Sequence, residues 1–228
     1  MKSIFKFNKL FVSLAIASSA SLTLAPVAAQ AGVTGNIGMV SNYVFRGIEQ
    51  KNSASVSAGL DYEADSGIYV GTWVGDVDNN EGDSGLEYDF YAGWAGEVEG
   101  VSLGLGGTYY GYTEASFDSP YKELNLSLGL AGFTLGYDKG VYESTTDIDY
   151  SHVYLSYEIN DFSATYAVLD GDLDTKDDAV SYLDLGYSTE LSKGLDGSVN
   201  YIYSMPEDSA NDPSPYLIFG ISKSFDIM

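Results

Sequence analysis

Arg46, in the stretch SNYVFRGIEQ at residues 41–50, is the only arginine in a chain with 33 acidic residues. A guanidinium is a rigid fork of N–H donors, suited to gripping one carboxylate with two bonds or bridging two carboxylates. The acids that could meet it recur on one parity of short alternating segments. They are Asp61 and Glu63, Glu87 and Asp89, Asp138, Glu158, and Asp184. Such a set could bias ion passage through a pore, or simply brace one. Paired carboxylates such as Glu87 and Asp89 could also do acid–base work, but they are too abundant here to be distinctive. His152 is the only histidine, and there is no cysteine. A Ser-His-Asp site would need a serine aimed at His152, and no motif marks one. Asp76, Asp78, Asn80 and Glu87 fit positions 1, 3, 5 and 12 of a calcium loop, yet Gly82 stands at 7 where 6 is required. Asp170, Asp172 and Asp174 repeat only the beginning of that pattern. No catalytic residue, metal site or cofactor is therefore expected, and the acidic loops read as a solvated, self-repelling rim.

The elements that must position these residues show a period of two. Leu124, Leu126, Leu128 and Leu130 alternate with Asn125, Ser127 and Gly129. Val153, Leu155, Tyr157 and Ile159 alternate with polar neighbours that include His152 and Glu158. Alternation of this kind marks strands with one apolar and one polar face. Twelve such segments are expected, at 33–45, 53–63, 67–77, 86–97, 101–112, 121–130, 132–142, 150–159, 161–169, 179–190, 195–204 and 215–225. Their connections alternate between short turns such as EG (99–100) and AG (131–132) and longer acidic loops such as DVDNNEGDSG (76–85). That rhythm predicts an all-β fold, a closed up-and-down antiparallel transmembrane barrel of about twelve strands. A water-soluble sandwich shares the alternation but has no reason to alternate loop lengths. Aromatic residues near the ends of the apolar faces, Tyr43 and Phe45 among them, fit belts at two lipid–water interfaces.

Residues 1–31 carry Lys2, Lys6 and Lys9, then a short apolar run, then Ala29-Gln30-Ala31. This is the plan of a cleaved signal peptide, with the cut placed after Ala31 or alternatively after Ala29. The barrel then spans 32–228, with seven basic against 33 acidic residues and a formal charge of −26. Such a charge excludes nucleic acid as a partner, since phosphate binding needs a basic surface.

SNYVFRGIEQ, together with DSGIYVGTWVGDV (65–77), LEYDFYAGWAGE (86–97) and the closing GISKSF (220–225), resembles the TorF-family porins of Gram-negative outer membranes. The resemblance covers the whole chain after the signal. It implies an outer-membrane location and a porin architecture, and it brings no substrate and no catalytic residue.

By parity, Arg46 continues the first strand and projects into the lumen, because an arginine facing lipid would cost about 2–4 kcal/mol at the midplane. Asp61, Glu63, Glu87, Asp89, Asp138, Glu158 and Asp184 share that lumen, which must be wet if most of them are to stay charged. The expected function is a small passive channel for small solutes, preferring cations, with Arg46 as internal counter-charge in a constriction or a brace. The alternative is a non-conducting barrel whose acidic loops bind at the surface or stabilise the outer leaflet. An outer-membrane hydrolase is a weaker third. The expected partners are outer-membrane lipid and lipopolysaccharide, small solutes or cations, and the barrel insertion machinery during assembly.

Overall fold

The computed structural model describes residues 32–78, 84–113, 118–171, 179–207 and 213–227, so the expected signal segment lies outside the described residues. In chain order the strands are β1 (Gly32–Val40), β2 (Tyr43–Phe45), β3 (Ile48–Lys51), β4 (Ser55–Glu63), β5 (Ile68–Asp78), β6 (Ser84–Val98) and β7 (Val101–Tyr112). They continue as β8 (Tyr121–Leu130), β9 (Phe133–Tyr142), β10 (Ile148–Ile159), β11 (Phe162–Asp170), β12 (Val180–Ser192), β13 (Leu195–Pro206) and β14 (Ser214–Asp226). Twelve of them close into one antiparallel barrel in the order β1-β4-β5-β6-β7-β8-β9-β10-β11-β12-β13-β14 and back to β1. The seam is a full ladder, from Thr34 opposite Asp226 to Val40 opposite Gly220. A closed ring leaves no unpaired strand edge, which is the condition for crossing hydrocarbon with strands.

Burial is inverted relative to a water-soluble domain. The outward parity holds large apolar side chains with half their surface open, such as Ile37 at 51%, Leu128 at 48% and Phe162 at 59%. The inward parity holds polar and charged groups at far lower exposure, among them His152 at 0% and Glu87 at 3%. An outer face of this kind calls for apolar surroundings to complete its burial. Tyr62, Trp94, Phe133, Tyr137 and Phe225 stand exposed on the outward face, as the expected aromatic belts require.

The first expected strand, 33–45, is where the structure departs from the alternation. β1 ends at Val40, whose cross-strand partner Ser55 already belongs to β4. Ser41 makes the last contact with the wall: its N–H donates to Phe219 O at 2.8 Å, and its Oγ accepts from Phe219 N–H at 3.1 Å. The chain then leaves the ring, and β2 and β3 form a separate two-stranded sheet. Tyr43 and Val44 are buried in one cluster with Trp73, Val77, Tyr154, Tyr182, Ile202 and Ile218, all on inward positions of the wall. The hairpin is therefore folded into the lumen. Eight strands make a barrel that side chains alone can fill, so a twelve-stranded one has space for such an insert. Two consequences follow: Tyr43 and Phe45 are not part of the expected lipid-facing belt, and residues 47–52, which separate the first two expected strands, are not a rim loop but carry β3.

Large rings lie flat along the inner wall because the neighbouring strand offers glycine. The Tyr154 ring occupies the place a Cβ would take at its cross-strand partner Gly136, and Tyr150 does the same at Gly140. Gly136→Ala is expected to overpack that contact and cost about 1–3 kcal/mol. A lowered urea midpoint for the refolded barrel would register it; an unchanged midpoint would show that the ring moves aside freely.

Candidate functional site in the lumen

The hairpin tip is a two-residue turn, Arg46-Gly47, between the paired residues Phe45 and Ile48. Both turn residues have positive φ, 52° at Arg46 and 81° at Gly47. The short barrel turns Glu99-Gly100 and Ala131-Gly132 have the same form, with φ of 53° and 83° and of 53° and 87°. This is the turn whose twist matches paired strands, and glycine suits its second position. An arginine at the first position pays about 1 kcal/mol or more for its left-handed backbone. What offsets that cost is the reach of its side chain.

From the tip, Arg46 grips both oxygens of Glu123 on β8, with Nη1–Oε1 at 2.5 Å and Nη2–Oε2 at 3.0 Å. Nη2 also donates to Asp138 Oδ2 on β9 at 3.1 Å. β9 is the sixth strand from β1 in either direction around the ring, so the hairpin that leaves the wall at β1 carries Arg46 to the opposite side. Both carboxylates are held further by the wall. Glu123 accepts from Tyr110 Oη at 3.0 Å, Tyr150 Oη at 2.6 Å and Asn125 Nδ2 at 3.0 Å. Asp138 lies 3.0 Å from Asn125 Nδ2 and 2.9 Å from His152 Nδ1, whose Nε2 meets Tyr182 Oη at 2.9 Å. Arg46 itself is 4% exposed, and its Cζ stands 4.8 Å from the centre of the Phe45 ring. A buried pair of this kind is held together because so many of its polar atoms are satisfied.

At the base of the hairpin, Lys51 bridges Asp76 and Asp78 at 2.9 Å each, tying β3 to the end of β5. Asp118, at the long-loop rim, accepts from Tyr142 Oη at 2.8 Å, Tyr121 Oη at 3.2 Å and its neighbour Ser119 N–H at 2.7 Å. Its partial burial nevertheless pushes the carboxyl above the usual range.

Each acid singled out in the sequence sits on the inward parity, but in different surroundings. Asp138 belongs to the Arg46 cluster. Glu87 and Asp89, on β6, are buried at 3% and 9% exposure without a bond to Arg46. Asp61 accepts from Tyr91 Oη and from Asn36 Nδ2, and Asp184 accepts from Asn200 Nδ2. Glu63 and Glu158 stand at the short-turn rim, where Glu158 is exposed. The lumen therefore differs along its length. The half toward the long loops is packed with rings, aliphatic side chains and the hairpin. The other half is lined by small polar positions such as Ser127, Thr134, Ser163, Gly186, Ser198 and Ser222.

The main partner, Glu123, was not among the expected site residues, although it shares parity with Asn125 and Ser127. The hairpin also had a legible mark. FRGI has the same X-Gly centre as the turns in VEGV (98–101) and LAGF (130–133). Two weaker readings lose ground. Both ring nitrogens of His152 are engaged, at 0% exposure, so it has no position free to activate a serine. The calcium register breaks because Glu87 points into the lumen while Asp76 and Asp78 hold Lys51; Asn80, Gly82, Asp172 and Asp174 lie outside the described residues. Among the described residues no group of three or more acidic or histidine side chains is arranged to hold a metal.

A family model described as a bacterial protein of unknown function (Gcw_chp) matches residues 25–218. No curated protein matches the chain. Among solved structures, the KdgM porin superposes with a TM-score of 0.53 at 9% identity, over 85% of this chain and 99% of that one. The KdgM porin in complex with disordered oligogalacturonate gives 0.52 at 10%, again over 85% and 99%. At these identities the likeness is one of fold, the closed β-barrel.

Proposed function

We propose, for a chain that belongs to the Gcw_chp family of bacterial proteins of unknown function, the role of a small outer-membrane channel that prefers cations. The observation that carries this reading is the inverted burial of the ring, apolar outside and carboxylate-rich inside. Residues 1–31 serve as the export signal, and the long-loop rim faces the cell exterior. The fold likeness to the KdgM porin supports a channel, and the resemblance of SNYVFRGIEQ to the TorF-family porins points the same way. The oligogalacturonate held by that neighbour is a polyanion. The inward face carries Asp61, Glu87, Asp89, Glu123, Asp138 and Asp184 against the single Arg46, which pairs with Glu123 and Asp138 alone, so the lumen favours cations or small neutral solutes. In this reading the Arg46 hairpin is the constriction, and the polar half beyond it is the vestibule on the inner side.

One observation favours a second reading: the hairpin fills the long-loop half of the lumen. A barrel closed in this way would serve the surface through its acidic loops rather than conduct. Planar-bilayer recording of refolded protein in a KCl gradient separates the two. The expected reversal potential has the sign of cation selectivity, and the selectivity weakens as salt screens the carboxylates. Anion selectivity would overturn the charge argument. Correctly inserted barrels that never conduct would establish the closed reading instead.

A further inference from the structure

Glu87 and Asp89 are two residues apart on the inward face of β6, their Cα atoms about 7 Å apart. With Glu123 and Asp138 they make four carboxylates at 3%, 9%, 7% and 5% exposure. Arg46 bonds Glu123 and Asp138, and no ion pair among the described residues serves Glu87 or Asp89. Moreover, Asp89 Oδ1 is fully buried and accepts no hydrogen bond. A buried carboxylate with no donor, beside a second buried carboxyl, either takes up a proton or holds a cation that neutralises and bonds it.

The surroundings indicate what that is. On one side, Trp73 of β5 is the cross-strand partner of Asp89, and its indole lies over Gly75, the partner of Glu87. On the other side, Tyr110 and Tyr112 of β7 stand opposite Asp89 and Glu87. From the hairpin, Tyr43 packs on Trp73 with ring centres 5.8 Å apart. Two acids are thus walled by an indole and two phenols, with a third phenol from the hairpin. A bare metal ion suits this poorly, since it would gain only two carboxylates and face rings elsewhere. A protonated amine suits it well: its N–H groups satisfy carboxylate oxygens while its charge and carbon body meet aromatic faces.

We propose that Glu87 and Asp89, boxed by Trp73, Tyr43, Tyr110 and Tyr112, bind a primary ammonium group carried on a short hydrocarbon chain. The site stands on the geometry of the wall. Only its further meaning, that such amines are a permeant class, rests on the channel reading.

Trp73 is a built-in reporter, because the only other tryptophan, Trp94, sits on the outward face and can be replaced by phenylalanine. Folded protein carrying Trp94→Phe, in detergent at pH 7, is titrated with n-butylammonium chloride. Matched NaCl and neutral n-butanol serve as controls. The expected result is a saturable change in Trp73 fluorescence with the ammonium probe alone. Affinity is expected to fall at least tenfold in Asp89→Asn and in Glu87→Gln, each first shown to be folded by its heat-modifiable mobility on a gel. Absence of a saturable change in folded protein overturns the proposal. So does a response equal to that of butanol, or one undiminished in both variants. Saturable binding by a barrel that fails to conduct would leave the site in place and remove only the channel reading.

Discussion

Arg46→Ala is expected to release the β2–β3 hairpin from the lumen while the twelve-stranded ring stays closed. The substitution leaves Glu123 and Asp138 buried without their cation, and breaking a buried pair from one side costs about 3–5 kcal/mol. That loss falls on the hairpin. Its two strands share no ladder with the ring, and an isolated two-stranded sheet is marginal on its own. About 3 kcal/mol already changes an equilibrium roughly a hundredfold. Two measurements follow this. Single-channel conductance should rise as the insert leaves, and trypsin should gain access to Lys51, whose side chain is 11% exposed. Arg46→Lys should recover little, because a compact ammonium cannot grip both Glu123 oxygens and Asp138 together. Unchanged conductance with Lys51 still resistant would show that apolar packing around Val44, at 0% exposure, and the Lys51 pairs with Asp76 and Asp78 hold the hairpin without Arg46.

Leu126→Arg tests the membrane assignment at its strongest point. Leu126 lies in the middle of β8, on the outward face, at 40% exposure. An arginine there would sit in hydrocarbon near the midplane and cost about 2–4 kcal/mol. Its neighbour Ser127 faces the lumen, where carboxylates are plentiful, so Ser127→Arg should be tolerated. Folding yield into lipid vesicles, followed by heat-modifiable gel mobility, compares the two directly. Equal yields would mean the outward face is not in contact with lipid.

The ring was readable because two solvents impose a period of two on nearly every strand. Leu124, Leu126, Leu128 and Leu130 record the apolar exterior, and Asn125, Ser127 and Gly129 record the interior. The alternation is strictly local, and that is also where it misleads. Tyr43, Val44 and Phe45 continue the rhythm of β1 because β2 is itself a strand. Period two cannot say which sheet a strand joins. The Arg46-Gly47 turn signal was the piece of local chemistry that separates them. The inward direction of Arg46 followed from desolvation cost, but its partners did not. Glu123 and Asp138 meet it only because ring closure sets β8 and β9 opposite β1. The close packing of the long-loop half likewise depends on groups from many strands converging, Tyr182, Ile202 and Ile218 among them.

The bonds from Arg46 to Glu123 and Asp138 join residues 77 and 92 positions apart in the chain. Contacts so distant in sequence are paid for in chain entropy before they return anything. Arg46 therefore cannot make its grip until the segments that become β8 and β9 have been carried round to face it. Until β8 and β9 are in place, the one guanidinium of the chain has neither carboxylate to grip, although the hairpin that carries it precedes both strands in the chain.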